Sequence, residues 1–407
     1  MRLLLIETEG DFRMAGTIRN RMQLHQQNIQ SVLAQVFNHQ PISRIEISRN
    51  LALNKSTVSS LYNALKEEGY VEELGEGAAS TAGGRKPVLL AINRRYGYTM
   101  NFDFGYRHIH VMKNNLSGDI MSYTQVDAKD IGIKDILPLI ETQIEKAENE
   151  DQTKHNLLGI SFAIHGTIDD NAITYSPFLD MEGIDLVQYF GDKYDVPVLL
   201  ENEANLAAVF ERDFNDENQR LSNAVTISIH RGIGAGLIIN KKLYRGAHGE
   251  AGEIGRSLRV GNNINEAPRK VEDYCSEDAI INQISEAREG APLDRYEVVK
   301  LYNENDAIAK RVIGSFVENT ARIIVNVSND YDPDEIFLNS PLIESLPELL
   351  PEIRNAYSKI VPSNTVIPMT VTRNSHYATL LGGCALITRR VLNLEDFELN
   401  FAAQQEF

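Results

Sequence analysis

Only two cysteines, Cys275 and Cys384, occur in 407 residues. They lie too far apart for a CxxC knuckle, and two thiols make no disulfide framework. Long apolar runs are missing as well. Leu3 to Ile6 is four residues long and runs into acids, so neither a signal peptide nor a membrane anchor is expected, and a cytoplasmic location is. Positive charge is scarce: 40 Lys and Arg face 57 Asp and Glu, a formal net charge of −17. A chain this acidic does not coat nucleic acid non-specifically. The deficit is uneven, however. Residues 1–95 carry 12 basic against 9 acidic side chains, and the rest of the chain 28 against 48. Such a split is either a chance fluctuation or the mark of a small DNA-reading head on the body of a neutral-ligand sensor. The length allows two or three domains.

Between Asn28 and Phe37 the apolar positions Ile29, Val32, Leu33, Val36 and Phe37 recur at helical spacing. After Pro41, Ser43-Arg44-Ile45-Glu46 makes a capping box that predicts a two-turn helix to Arg49. Leu51-Ala52-Leu53 turns the chain, and Asn54 caps a second helix, Lys55 to Glu68, which Gly69 ends. This is a helix-turn-helix pattern. Val58, Leu61, Tyr62 and Leu65 share the inward face of the second helix. The outward face holds small polar side chains and one lysine, which suits a major groove because nothing bulky or acidic holds it off the phosphates. Ser43, Arg44, Lys55, Ser56, Thr57, Ser59, Ser60 and Asn63 are the DNA-contacting candidates. Tyr70 to Glu73 and Val88 to Ile92 can pair as a wing. Its Gly83-Gly84-Arg85-Lys86-Pro87 tip either carries Arg85 and Lys86 to phosphates or a narrow minor groove, or is only a linker.

From Tyr98 onward strands and helices alternate. The stretch Asn223 to Arg256 is the most distinctive. An apolar β-branched run, Val225 to Ile229, meets Gly232, Gly234 and Gly236, then a second run, Leu237 to Ile239, and the corner Asn240-Lys241-Lys242. Gly246 to Gly255, bearing Glu250 and Glu253, follows. The pattern predicts strand, tight glycine loop, strand, turn and rigid loop. Alternate glycines let the backbone approach a phosphate or a sugar closely.

The G-x-x-G-E-A-G-E-I-G run over Gly246 to Gly255 resembles the signature of the ROK family, sugar kinases and sugar-responsive repressors built on the actin-like ATPase fold. In the first 95 residues, ISR-x-x-I-S, L-N-K-S-T-V-S-S-L, E-E-G-Y-V-E-E and G-G-R-K-P resemble the DNA-binding head of its repressors, in particular the xylose-repressor subgroup of Gram-positive bacteria. The resemblance implies sugar-binding roles for Asn202, Glu203, Glu253, Arg256 and Glu272. Glu203 stands where the kinases carry an aspartate general base, and its extra methylene displaces the carboxylate by roughly an ångström, so catalysis is not expected. Asp103, Gly105, Gly232 and Gly234 are read as vestiges of nucleotide loops. The kinase Asp-x-Gly-Gly-Thr loop is here Asp103-Phe104-Gly105-Tyr106-Arg107, whose bulk leaves no room for phosphates, and ATP is not expected. Arg256 replaces the family's zinc histidine and Lys270 its last zinc cysteine, so zinc is not expected either. Arg256 would then hold the loop by pairing with a carboxylate such as Glu272, or select an acidic or phosphorylated sugar with Arg259. Phe178 stands where asparagine is usual. His165, at a family proline, reads as a structural residue.

The expected fold is α/β, an amino-terminal winged helix-turn-helix followed by a two-lobed actin-like ATPase body. The expected boundaries are 1–82 for the head, 83–96 for the wing or linker, 97–215 plus 376–407 for the first lobe and 216–375 for the second. The expected function is a sugar-responsive regulator, a repressor of a xylose-like operon, without catalysis or cofactor. Its expected partners are double-stranded operator DNA, a small sugar or sugar phosphate, and a second copy in a homodimer or tetramer, with no membrane. A sugar kinase with an appended DNA-binding head is the competing reading, and a body that has lost its ligand and only dimerises is a third. Elemental analysis of the purified chain should find no stoichiometric zinc; one tightly held ion per chain would overturn the reading of Arg256 and Lys270.

Overall fold

The computed structural model describes residues 8–77, 86–105, 108–129, 131–214, 221–259, 267–288, 292–362 and 366–401. Arg85, Tyr106, Arg107 and the side chain of Arg259 lie outside the described residues.

The head is built from α1 (Thr8–His39), β1 (Ile42–Ser43), α2 (Arg44–Asn50), α3 (Lys55–Glu68), β2 (Val71–Glu76) and β3 (Val88–Ile92). Both caps form as the sequence predicts. The Ser43 hydroxyl accepts the Glu46 N–H at 3.3 Å while the Glu46 carboxylate accepts the Ser43 N–H at 2.8 Å. Asn54 accepts the Thr57 N–H at 2.9 Å, and Gly69 closes α3 at φ +94°. Val58, Leu61, Tyr62 and Leu65 are buried. Two features were not legible. α1 begins well before Asn28, because apolar periodicity marks only the part of a helix that touches a core. β1 joins a three-stranded sheet in the order β1-β3-β2, and two residues are too few to show alternation.

The first lobe contains β4 (Tyr98–Phe104), β5 (His108–Asn115), β6 (Ile120–Asp127), α4 (Ile133–Asn149), β7 (Leu157–Ile164), the short pair β8 (Thr167–Asp169) and β9 (Ala172–Tyr175), α5 (Leu186–Tyr194), β10 (Val198–Asn202) and α6 (Glu203–Asp213). The second contains β11 (Ala224–Ile229), β12 (Ile233–Ile239), β13 (Lys242–Tyr244), β14 (Leu258–Arg259), β15 (Arg269–Lys270), α7 (Glu272–Cys275), α8 (Glu277–Ala287), α9 (Arg295–Asn303), α10 (Ala307–Tyr331), β16 (Glu335–Asn339), α11 (Pro341–Ser345), α12 (Leu349–Ser358) and β17 (Met369–Val371). α13 (Ser375–Leu392) completes the body. The two five-stranded sheets, β6-β5-β4-β7-β10 and β13-β12-β11-β16-β17, repeat one plan. In each, an antiparallel meander is extended by two parallel strands. Cys275 and Cys384 are free, and burial pushes each thiol up to about 12. Among the described residues no helix is long and apolar enough to cross a membrane.

The helix that follows each sheet's last strand lies mainly on the other lobe's sheet. α6, after β10, packs on β11 and β12; α13, after β17, packs on β4 and β7; the two helices cross. This corrects the reading of the glycine loop. Gly234 and Gly236 lie within strand β12, because α6 presses on it. A Cβ on Gly236 would stand 2.2 Å from the Ala204 carbonyl oxygen and 2.5 Å from the Ala208 Cβ. At the crossing, a Cβ on Gly382 would stand 2.0 Å from the Leu206 carbonyl oxygen. Gly252, at φ +88°, would meet the Ala235 carbonyl oxygen at 1.8 Å, so the glycine-rich loop also rests on β12 backbone.

Gly236→Ala should destabilise the chain by about 1–3 kcal/mol or more, since the clash is with backbone. Gly314→Ala, on an exposed stretch of α10 with nothing within 4 Å, should stabilise it by roughly 0.5–1 kcal/mol. Thermal midpoints that move the same way in both variants would show that helix approach is not what Gly236 serves.

Candidate functional site

A cleft of about 550 Å³ opens where the carboxyl ends of β7 and β10 face the β11–β12 turn and α7. Asn202, Glu203, Glu253, Arg256 and Glu272, drawn from four separate elements, all line it, as do Gly232 and Gly234. Asn202 ends β10 and caps α6. Its Oδ1 accepts the N–H groups of Ala204 and Asn205 at 2.9 and 3.2 Å, and its Nδ2 donates to the Gly166 carbonyl at 2.7 Å. One amide hydrogen is left for a ligand. Glu203 is 7% exposed. Its Oε1 accepts from the Ser228 hydroxyl at 3.0 Å, Asn339 Nδ2 at 3.1 Å and the Thr379 hydroxyl at 3.4 Å. These bonds fix the carboxylate and leave Oε2 as the acceptor for a ligand.

On the far side, Glu253 precedes a single 3₁₀ turn, Ile254–Arg256. The turn brings Arg256 Nε to 3.1 Å from Glu253 Oε2, while its NH1 lies 3.5 Å from Glu250 and its guanidinium 4.8 Å from the Tyr175 ring centre. Burial pushes the Glu253 carboxyl up, against the pull of Arg256. Arg256 does pair with carboxylates, as expected, but these are Glu253 and Glu250, and Glu272, the partner named as an example, pairs with Lys270 at 3.4 Å. Local geometry decides this, since the turn sets residues 253 and 256 side by side. Glu272 Oε2 sits against the backbone of Gly232 and Gly255, where a Cβ would come within 3.1 and 3.0 Å. Both cations, Arg256 and Lys270, are thus held beside carboxylates.

His165, read from the sequence as a structural residue, lies in the cleft wall. Its Nε2 is 3.1 Å from Asp103 Oδ1, and both side chains are largely buried. Burial alone would lower the imidazole; the Asp103 carboxylate outweighs it and holds the ring above the usual histidine range. Burial likewise opposes ionisation of Asp103, and His165 more than compensates, leaving the carboxyl below its usual range. His230, also missed, is 3.4 Å from Glu203 Oε1 and 3.3 Å from Asn339 Nδ2. No local signal marks either histidine, because the partners of both are remote in sequence. The positions read as vestiges of two nucleotide loops fall in different places. Gly232 and Gly234 face the cleft, Asp103 is committed to His165, and Gly105 lines a smaller neighbouring cavity.

On the head, Lys55, Ser56, Ser60, Asn63 and Lys86 are exposed, and Arg44, Thr57 and Ser59 are half-buried. The Ser56 and Thr57 hydroxyls donate to Asn54 Oδ1 at 2.7 and 2.8 Å. Arg44 lies 5.2 Å from the Tyr62 ring centre. Ser43 is a correction: at 3% exposure, with its hydroxyl inside the capping box, it is a cap and not a surface contact.

The Asp103–His165 pair fixes a pH dependence. Because the folded pKa of His165 is raised, its contribution is complete below pH 6.5, the ordinary value, and fades as pH climbs through the folded value. That of Asp103, whose pKa is lowered, is lost only in acid. His110, His230, Glu203 and Arg231 surround the pair and are common to wild type and variant. The thermal midpoint of wild type minus that of His165→Asn should therefore fall as pH rises above 6.5; a flat difference would show that the pair is not ionised.

A model of the ROK family matches residues 99–390. The chain is 47% identical over 382 residues to the xylose repressor of Lactiplantibacillus pentosus, covering 94% of this chain and 97% of that one. It is 40% identical to the xylose repressor of Staphylococcus xylosus, covering 92% and 97%. Among solved structures, a ROK family transcriptional regulator described as a homolog of the E. coli MLC protein superposes with a TM-score of 0.75 at 20% identity, over 91% of this chain and 98% of that one. A ROK family glucokinase from Streptomyces griseus, in complex with glucose and AMPPNP, gives 0.62 at 20% identity, over 71% of this chain and 99% of that one. With its family signature, its two lobes and full-length relatives in agreement, this chain belongs to the ROK family.

Proposed function

We infer that this protein is a sugar-responsive transcriptional repressor whose winged head binds operator DNA and whose cleft binds a small neutral sugar. The observation that carries this reading is that one helix runs from the cleft to the carboxy-terminal segment on which α1 of the head rests. α6 begins at Asn202 and Glu203 and ends at Asp213, which takes Arg389 Nη1 at 2.7 Å and Nη2 at 3.0 Å. The Asp213 carbonyl accepts the Phe401 N–H at 2.8 Å. Phe401 stacks on Phe214 with ring centres 4.8 Å apart and meets Phe37 of α1 edge-on at 4.9 Å. Asn38 of α1 donates to the Glu398 carbonyl and accepts the Asn400 N–H, both at 2.8 Å. The apolar core of the head is continuous with the body through these contacts. A sugar that favours one placement of α6 would bias the head by as much as its affinity differs between the two arrangements.

The cleft supports a neutral ligand. The carboxylates of Glu203, Glu253 and Glu272 are suited to accepting hydroxyl protons, and of the four cations that line the cleft Arg231, Arg256 and Lys270 each lie beside a carboxylate, which lowers the charge they offer a phosphate. Xylose, in the names of the relatives, is the first ligand to test. Catalysis and ATP use are not part of this proposal, nor is zinc: Glu203 is immobilised by three donors, and Asp103 faces His165. The proposal includes a cytoplasmic homodimer on a pseudo-palindromic operator.

A DNA fragment selected by the protein from a random pool provides the operator probe. Xylose should change its Kd by about tenfold or more, a usual coupling, and raise the thermal midpoint. Phe401→Ala should keep DNA binding and the thermal shift but lose the change in Kd. Sugar-dependent ATP turnover abolished in Glu203→Gln would establish a kinase instead, and a shift by sugar phosphates but not xylose would overturn the neutral ligand.

A further inference from the structure

The cleft is larger than one pentose requires. Its space of about 550 Å³ falls in the range of roughly 300–1,000 Å³ that houses drug-sized ligands, and a single pentose is well under that size. Asn202, Glu203 and Glu253 are gathered at one place: Asn202 bonds the Gly166 carbonyl, and Glu253 Oε1 lies 3.4 Å from the hydroxyl of the next residue, Thr167. Away from this group the wall is supplied by α8, a helix with two faces. Ile280 and Ile284 are buried in the core of the second lobe. Ala279, Asn282, Gln283 and Glu286, spaced i, i+3, i+4 and i+7, share the face that lines the cleft. From Ala279 to Glu286 that face rises about 10 Å, the reach of two joined pyranose rings and not of one. Gln283 is held in the manner of Asn202. Its amide hydrogens go to the Tyr274 carbonyl at 3.1 Å and the Ala279 carbonyl at 3.0 Å, which fixes the group and leaves Oε1 as an acceptor for a ligand. Arg269 also lines the cleft, its guanidinium 5.9 Å from the Tyr274 ring centre and donating to the Asp273 carbonyl at 3.1 Å. A guanidinium carries more N–H donors than that contact uses.

We propose that the cleft takes an extended disaccharide, its inner unit held by Asn202, Glu203 and Glu253 and its outer unit lying along α8 against Gln283, so that the preferred effector class is a neutral disaccharide and not a free monosaccharide. The proposal rests on reading the cleft as a carbohydrate site. A helix face that met only water would gain nothing from a fixed glutamine, since ordering a long side chain costs rotamer entropy. A fixed acceptor instead lowers the ordering that a ligand hydroxyl has to impose. Hydroxyl groups of the outer ring would donate to Gln283 Oε1 and accept from Arg269. An equatorial linkage keeps the two rings in line, as the straight face of α8 requires. A free pentose satisfies the inner group alone and leaves Gln283 to water.

Calorimetric and thermal-shift titrations of the full-length protein with xylose and with xylobiose test this, in wild type and in two variants. Gln283→Met keeps the length of the side chain and removes the acceptor, and Ala279→Leu fills the outer half of the cleft with a good helix former. Xylobiose should bind wild type about tenfold tighter than xylose, as expected for one or two added hydrogen bonds and a ring taken partly out of water. Each variant should lose most of that advantage while binding xylose within about twofold of wild type, which also shows that the variant is folded. Xylobiose that binds wild type no tighter than xylose would overturn the proposal and leave the carbohydrate reading standing. An advantage that either variant retains in full would overturn it too, because the second ring would then lie elsewhere. If neither sugar binds wild type, both fall.

Discussion

The close crossing of α6 and α13 is the constraint on which the rest of this molecule depends. Each helix leaves its own sheet and packs on the other's, so the two lobes, each with a buried apolar cluster of its own, are tied together by exchanged helices. Helices approach this closely only where side chains are absent from the facing surface. Gly236 on β12 and Gly382 on α13 supply that absence against the backbone of α6. Gly159 on β7 does the same for Ile387 of α13, where a Cβ would stand 2.7 Å from Cγ1. The arrangement fixes the amino end of α6 in the cleft and its carboxyl end against Arg389 and Phe401, the second of which meets Phe37 of the head.

The candidate site shows the economy of a rigid sensor. Asn202 caps a helix and binds Gly166 before it meets any ligand, and one oxygen of Glu203 is saturated by Ser228, Asn339 and Thr379. Each group thus holds a fixed orientation while keeping one hydrogen-bonding position open, which reduces the ordering that binding requires. Charge is treated alike. Arg256 and Lys270 enter the cleft already paired, and Asp103 is answered by His165. Carboxylates that would otherwise repel one another are thereby held together around a space suited to hydroxyl groups.

Much of this was written in local sequence. The capping box at Ser43 and Glu46, the Asn54 cap, the Gly69 stop and the apolar stripe Val58, Leu61, Tyr62 and Leu65 are interactions among neighbours a few residues apart, so residue order determined the helix-turn-helix directly. The apolar runs Val225 to Ile229 and Leu237 to Ile239 likewise marked β11 and the second half of β12, and the Gly246 to Gly255 signature marked a loop that reaches the cleft. Tertiary structure alone decided what those elements meet. Gly234 and Gly236 read as a loop, but α6 presses on them within β12; Ser43 reads as a surface contact, but its hydroxyl lies inside the cap; Arg256 calls for a carboxylate, and a 3₁₀ turn decides that it is Glu253. His165 reads as a structural residue, but only the fold brings Asp103 beside it from another strand. The physical reason is common to these cases: propensity and periodicity act over one or two turns of chain, whereas the partner of a buried charge or of a missing Cβ is chosen by packing between segments that are remote in sequence.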